Sequence, residues 1–192
     1  IKDGIKRIND ELGFEIKKVL INVPDYNVKF MYVTGKTQVN GVVGTDDINK
    51  VIKDSVYGKI DKEYELVTVI PLEFVLDEKE GIEYPCGMNG KELNLKGIMV
   101  TVPKKNIYSV ISVVEGTGLE VVDITLSGLS DYYQVGNKKL DTKLGAVINL
   151  GHETTNVSII NGGKLMNTET IQLGGLNIEN DIAYVFGTNI ID

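Results

Sequence analysis

Sulfur and imidazole are nearly missing from this chain: Cys86 is its one cysteine and His152 its one histidine. A lone cysteine closes no internal disulfide and fits a reducing cytoplasm. Neither residue has the partners that a cysteine or multi-histidine metal centre needs, so no metal site is expected. No apolar run approaches the roughly 20 residues that cross a bilayer, and no signal-peptide pattern opens the chain. Positive charge is in deficit, with 20 Lys and Arg against 27 Asp and Glu and a formal net charge of -7. That balance repels phosphate backbones, which argues against nucleic acid as a partner, and makes an anionic membrane surface equally unattractive to this stretch. Internal repeats and low-complexity tracts are lacking too. What remains is an ordinary globular composition: 192 residues, 42% hydrophobic and 24% charged, enough for one large domain or two small ones. Disorder is not expected. The chain opens on Ile1, already inside a helical pattern, which reads as a start internal to a longer protein.

The flanks read as α/β. Ile1, Ile5, Ile8 and Leu12 stripe one helical face, Gly13 stops it, and Lys18 to Val23 follows as a buried strand ended by Pro24-Asp25. After Lys104, a stripe of Ile107, Val110, Ile111 and Val114 ends at Gly116 and Gly118. A strand over Glu120 to Leu126 and a short helix with Leu129, Tyr132 and Tyr133 come next. Polar Asn137 to Thr142 reads as a linker. Three strands then follow, Gly145 to Leu150, Thr155 to Ile160 and Lys164 to Leu173, joined by tight turns at Gly151-His152-Glu153 and Asn161-Gly162-Gly163. Gly174-Gly175 leads into a last helix bearing Ile178, Ile182, Val185 and Phe186.

The middle has a different texture. Val28, Phe30 and Tyr32 alternate as a strand, and Thr45 is placed to cap a helix with Ile48, Val51, Ile52 and Val56 on one face. Two long strands follow, Glu65 to Asp77 and Lys91 to Val102, with a turn-rich loop over Glu78 to Asn89 between them. Pro71 lacks an N–H and belongs at an edge or a bulge. Strand, helix, strand, strand makes a compact α+β unit inserted between two α/β pieces.

The ordered motifs resemble those of FtsA, the actin-like bacterial cell-division family. Pro85-Cys86-Gly87-Met88-Asn89-Gly90 followed by Leu93 is similar to that family's proline-x-glycine-methionine-x-glycine loop, approached through Val75-Leu76-Asp77 and Gly81-Ile82. Thr117 to Val121 resembles its helix-to-strand junction, Asn149 to Thr155 its second phosphate motif, and Gly174-Gly175 with Asn180 to Ala183 the segment after that hairpin. The resemblance implies an actin-like ATPase (RNase H-like) α/β fold with an inserted α+β strand-helix-strand-strand (SHS2) subdomain, called 1C. Residues 1–28 and 104–143 would belong to domain 1A, 29–103 to 1C, and 144–192 to the start of 2A. It further implies a cytoskeletal adaptor that links FtsZ filaments to the inner membrane at the division septum, self-assembles and recruits later division proteins. The membrane tail and the FtsZ-binding surface of that family have no counterpart in these residues. Exposed strands of the inserted unit would support sheet-style contacts between protomers.

By the same resemblance the whole protein would hold ATP with magnesium, the phosphates resting on Asn149, Gly151, His152, Thr154, Thr155, Gly174 and Gly175. Glycines let backbone N–H groups approach phosphate closely, and a helix N-terminus after Gly174-Gly175 favours anions. Two departures bear on chemistry. Asn149 stands where the family's magnesium-holding aspartate would be, and an amide brings no charge to a cation. His152 and Glu153 replace turn glycines. A Glu153 carboxylate ~6 Å from a phosphate charge would cost about 3 kcal/mol at an effective dielectric near 20. The expectation is phosphate contact without efficient hydrolysis, and no catalytic residue.

Read on pattern alone, Gly151 to Thr154 is a hairpin turn, Gly174-Gly175 a tight helix entry, His152 an exposed turn residue and Cys86 a packing residue. Asp46-Asp47 and Asp77 to Glu80 read as solvated charge. A pilus-assembly actin-like protein, which also carries such an insert, and a chaperone-like or sugar-kinase-like ATPase are the alternative functions. A small interaction domain without nucleotide is the plainest option.

Overall fold

The computed structural model describes residues 1–135, 138–139 and 141–188. The expected linker over Asn137 to Thr142 lies partly outside the described residues. The chain divides into two compact units, Asn27–Lys104 and the remainder on either side of it.

The first unit opens with helix α1 (Lys2–Leu12), closed by Gly13 at φ 73°, where a left-handed glycine donates its N–H to the Asn9 carbonyl. Strand β1 (Lys18–Val23) pairs in parallel with β6 (Glu120–Leu126), to which helix α3 (Lys104–Glu115) leads. Helix α4 (Ser127–Val135) follows β6 directly. Strands β7 (Leu144–Leu150), β8 (Thr155–Asn161) and β9 (Lys164–Ile171) form a separate antiparallel sheet in sequence order, and helix α5 (Gly175–Phe186) ends the described chain. The β8–β9 turn needs positive φ at both central residues, and Gly162 (56°) and Gly163 (74°) provide it. Val147, Ser158, Ile160, Leu165 and Thr168 are buried in this sheet, on which α4 packs. Tyr132 is buried and Tyr133 lies at the rim, 70% exposed. The apolar stripes of α1 and α5 form as helices but bury none of their residues.

The second unit is a four-stranded antiparallel sheet in the order β2-β5-β3-β4, from β2 (Lys29–Val42), β3 (Tyr64–Leu76), β4 (Lys79–Ile82) and β5 (Asn89–Pro103). Helix α2 (Thr45–Val56) packs on β2 and β5. Its core joins Val39, Val43, Val51, Phe74, Leu76, Ile82, Leu93 and Leu95. Central β5 contributes Leu93 and Leu95, both fully buried, because it has a partner strand on each side. Pro71 sits at a register shift between β3 and β5, a bulge where the missing N–H breaks no regular ladder.

Three local expectations need correction. Thr45 is the first helical residue, not the cap: Gly44 holds the cap position, and its N–H donates to Asp47 Oδ2 at 3.1 Å. That bond is the main reason the Asp47 carboxyl lies below its ordinary range. The stretch from Glu78 to Asn89 is not all loop, since Lys79–Ile82 pairs with β3. Cys86 is exposed, not packed. Pro85 is buried in its place, and the loop is strapped to β2's end by Gly87 N–H to Val43 carbonyl and Val43 N–H to Met88 carbonyl, both 2.9 Å.

Candidate functional site

The seven residues expected to face a phosphate all come together at one end of the β7-β8-β9 sheet. Asn149 is the penultimate residue of β7, Gly151 to Thr154 form the turn, Thr155 opens β8, and Gly174-Gly175 close over the turn from the start of α5. Gly151 N–H donates to the Thr154 carbonyl at 2.9 Å, which pins the turn. The α5 entry then docks on it: Gly175 N–H donates to the Gly151 carbonyl at 2.9 Å and Leu176 N–H to the His152 carbonyl at 2.8 Å. Thr155 Oγ1 donates to the Leu173 carbonyl at 2.7 Å. Only glycine fits at 174, because a Cβ there would lie 2.4 Å from the His152 carbonyl oxygen.

These bonds sort the candidates. The first N–H groups of α5 hold the hairpin, and Gly174 N–H donates to Asn177 Oδ1 at 2.9 Å, so the helix entry serves as a clasp on the turn. His152 and Glu153 are exposed, and among the described residues neither backbone N–H has a protein acceptor. Those two groups are among the donors the turn can offer to an anion. Asn149 Nδ2 donates to Asp131 Oδ2 on α4 at 2.8 Å.

Two acidic residues at this end of the sheet escaped the sequence reading. Asp131 is the acceptor for Asn149. Asp25, read only as a strand stop, is 4% exposed and accepts from Gly128 N–H (2.8 Å), Ser127 N–H (3.0 Å) and Thr168 Oγ1 (3.3 Å). It thereby ties the end of β1 to the first turn of α4 and to β9, where a carboxylate also suits the helix dipole. Burial pushes the Asp25 carboxyl above its ordinary value; the bonds from Gly128, Thr168 and Ser127 pull it back, and Asp131 adds a smaller upward push. A cleft of about 420 Å³ opens beside it, lined among others by Asn22, Asp25, Ser127, Thr154, Asn156 and Gln172. Nothing in local sequence pairs Asp25 with Gly128 or Asn149 with Asp131; only the tertiary fold does.

Among the described residues no group of three or more His, Cys, Asp or Glu side chains is placed to hold a metal ion. With Asn149 contributing an amide already given to Asp131, these residues do not fit a magnesium ion held by the protein alone.

Comparison with known proteins shows what the chain is similar to. Residues 26–101 match the family described as the SHS2 domain inserted in FTSA. The cell division protein FtsA of Streptococcus pneumoniae is 28% identical over 193 residues, covering 98% of this chain. The chain is FtsA-like. The Escherichia coli K12 FtsA is 30% identical over 147 residues, covering 76% of the chain. The FtsA-like chain spans less than half the length of these curated relatives, 42% and 35% respectively. Among solved structures, a chain of a PilM-PilN type IV pilus biogenesis complex superposes with a TM-score of 0.60 at 16% identity, over 98% of this chain and 52% of its own. That likeness shows the fold, an actin-like α/β frame with an SHS2 insert, which the FtsA-like chain shares.

Proposed function

We propose that the full-length protein is a cytoskeletal cell-division adaptor, linking FtsZ filaments to the inner membrane at the septum, self-assembling, and recruiting later division proteins through the SHS2 unit. The observation that carries this reading is the FtsA-type SHS2 match over residues 26–101, in a chain whose remainder also aligns with FtsA. Membrane contact enters this proposal through the FtsA likeness alone; among the described residues no helix is long and apolar enough to cross a bilayer. The PilM likeness rests on fold at 16% identity, whereas the FtsA likeness extends to sequence, so the division reading is preferred to the pilus one.

Nucleotide enters the proposal in a limited form. The unpaired N–H groups of His152 and Glu153, with the Thr154 hydroxyl beside them, support contact with an ATP phosphate in the full-length protein. When bound, the nucleotide would supply the phosphate charge that such N–H groups recognise. Asn149 brings an amide where a carboxylate is expected, and that amide is given to Asp131, so contact without efficient hydrolysis is proposed. Co-sedimentation of the full-length protein with FtsZ filaments on lipid vesicles tests the adaptor role. Pelleting that needs the protein, the vesicles and FtsZ together supports it; a full-length protein that leaves FtsZ in the supernatant contradicts it.

A further inference from the structure

Strand β2 is the outer strand of the second unit's sheet and pairs only with β5. A long unpaired edge is a template for another strand, and a copy of the same strand is the partner always at hand. Midway along β2, however, the outward-facing backbone is already occupied. Lys36 N–H donates to Asp54 Oδ2 at 2.9 Å, and Lys59 Nζ donates to the Thr34 carbonyl at 3.3 Å and the Ser55 carbonyl at 2.8 Å. Thr34 and Lys36 are two residues apart, so their backbone groups face the same side of the strand, away from β5. Asp54 lies in α2 and Lys59 just past its end. They reach the edge because α2 rides close to the strand: a Cβ on Gly35 would lie 2.2 Å from the Val51 carbonyl oxygen.

Other stretches of the sheet's perimeter are blunted by other means. Pairing of β2 with β5 shifts register between Gln38 and Gly41, with Gly41 at φ 89°, so the edge is not straight beyond that point. The opposite edge, β4, is four residues long and carries Lys79 and Glu80.

We propose that Asp54 and Lys59 are gatekeepers that close the β2 edge against strand addition by a second copy of this chain. Sheet-style pairing between copies then avoids the middle of β2, where the Thr34 carbonyl and Lys36 N–H are already bonded. The proposal rests on the sheet itself and holds whether or not the adaptor reading does.

The test compares the 192-residue chain with its Asp54→Ala/Lys59→Ala variant by sedimentation velocity without nucleotide, with hydrogen exchange read at Lys36. The variant is expected to sediment as a larger species than wild type at equal concentration, its Lys36 amide becoming at least tenfold more protected as concentration rises. Asp54→Asn, which keeps an acceptor, is expected to sediment as wild type. A folded alanine pair that sediments as wild type overturns the proposal, and so does association that leaves the Lys36 amide unprotected. Should the alanine pair fail to fold, Lys59→Ala alone, which lies outside α2, is held to the same outcomes.

Discussion

Asp25 ties the end of β1 to α4 and β9. Its replacement by alanine takes the acceptor from the Gly128 and Ser127 N–H groups, at a cost of about 1–3 kcal/mol for the buried Gly128 N–H, while the Thr168 hydroxyl keeps Ser158 Oγ as a partner. Its pH signature has a definite sign. The folded carboxyl is raised above 3.8 by burial, so the folded state holds the proton more tightly than the unfolded chain does. Asp25 therefore contributes most below about pH 3.8, and that contribution is lost as pH rises through the folded value. The stability difference between wild type and Asp25→Asn, from urea unfolding followed by tyrosine fluorescence, is expected to fall as pH rises from the unfolded value and then level off. A difference that grows with pH contradicts the burial argument. Asn149 is a second residue-scale case. An aspartate there would face the Asp131 carboxylate where the amide now donates at 2.8 Å. Asn149→Asp is expected to destabilise by about 1 kcal/mol or more, since like charges at that range repel even in water. Thermal unfolding at neutral pH reads this as a lower Tm than wild type. The seven hairpin residues were named through the family resemblance, since pattern alone gave only a turn and a helix entry, and the fold brings them to one end of a sheet. Asp25 and Asp131 were not, because their partners are Gly128 and Thr168 in one case and Asn149 in the other.

At the level of elements, periodicity located helices well and their partners poorly. The stripe on α2 pointed to a packed face, and Val51 is fully buried on it; the equally regular stripe on α1 is largely exposed. Hydrophobic spacing states which face is apolar but not what covers it. Short β4 was invisible for a related reason, since four residues ending in a turn carry no alternation to detect. Close approach of α2 to β2 gives a sharp prediction. Gly35→Ala puts a methyl 2.2 Å from the Val51 carbonyl oxygen and 2.8 Å from Ser55 Cβ, so helix and strand must part. A loss of about 1–3 kcal/mol or more is expected, the range for overpacking a well-filled site. Leu95→Ala, at the fully buried centre of β5, is expected to cost about 2–5 kcal/mol through lost burial and cavity formation. Chemical denaturation of each variant checks both, and a Gly35→Ala chain as stable as wild type would mean that α2 is not seated as described.

On the scale of the whole molecule, an α+β unit interrupts an α/β chain and keeps a sheet of its own. That change of texture could be read from residues alone, because alternating strands with one capped helix replaced the helix-then-strand rhythm of the flanks. Sheet order could not, since pairing β2 with β5 joins strands some 60 residues apart by tertiary contact. Recruitment of later division proteins is the role proposed for this unit. Fluorescence imaging of dividing cells that carry the tagged full-length protein without residues 29–103 addresses it most directly. The protein is expected to reach the septum, where the later division proteins are no longer gathered. Undiminished arrival of those proteins in the same cells would contradict the assignment of recruitment to this unit.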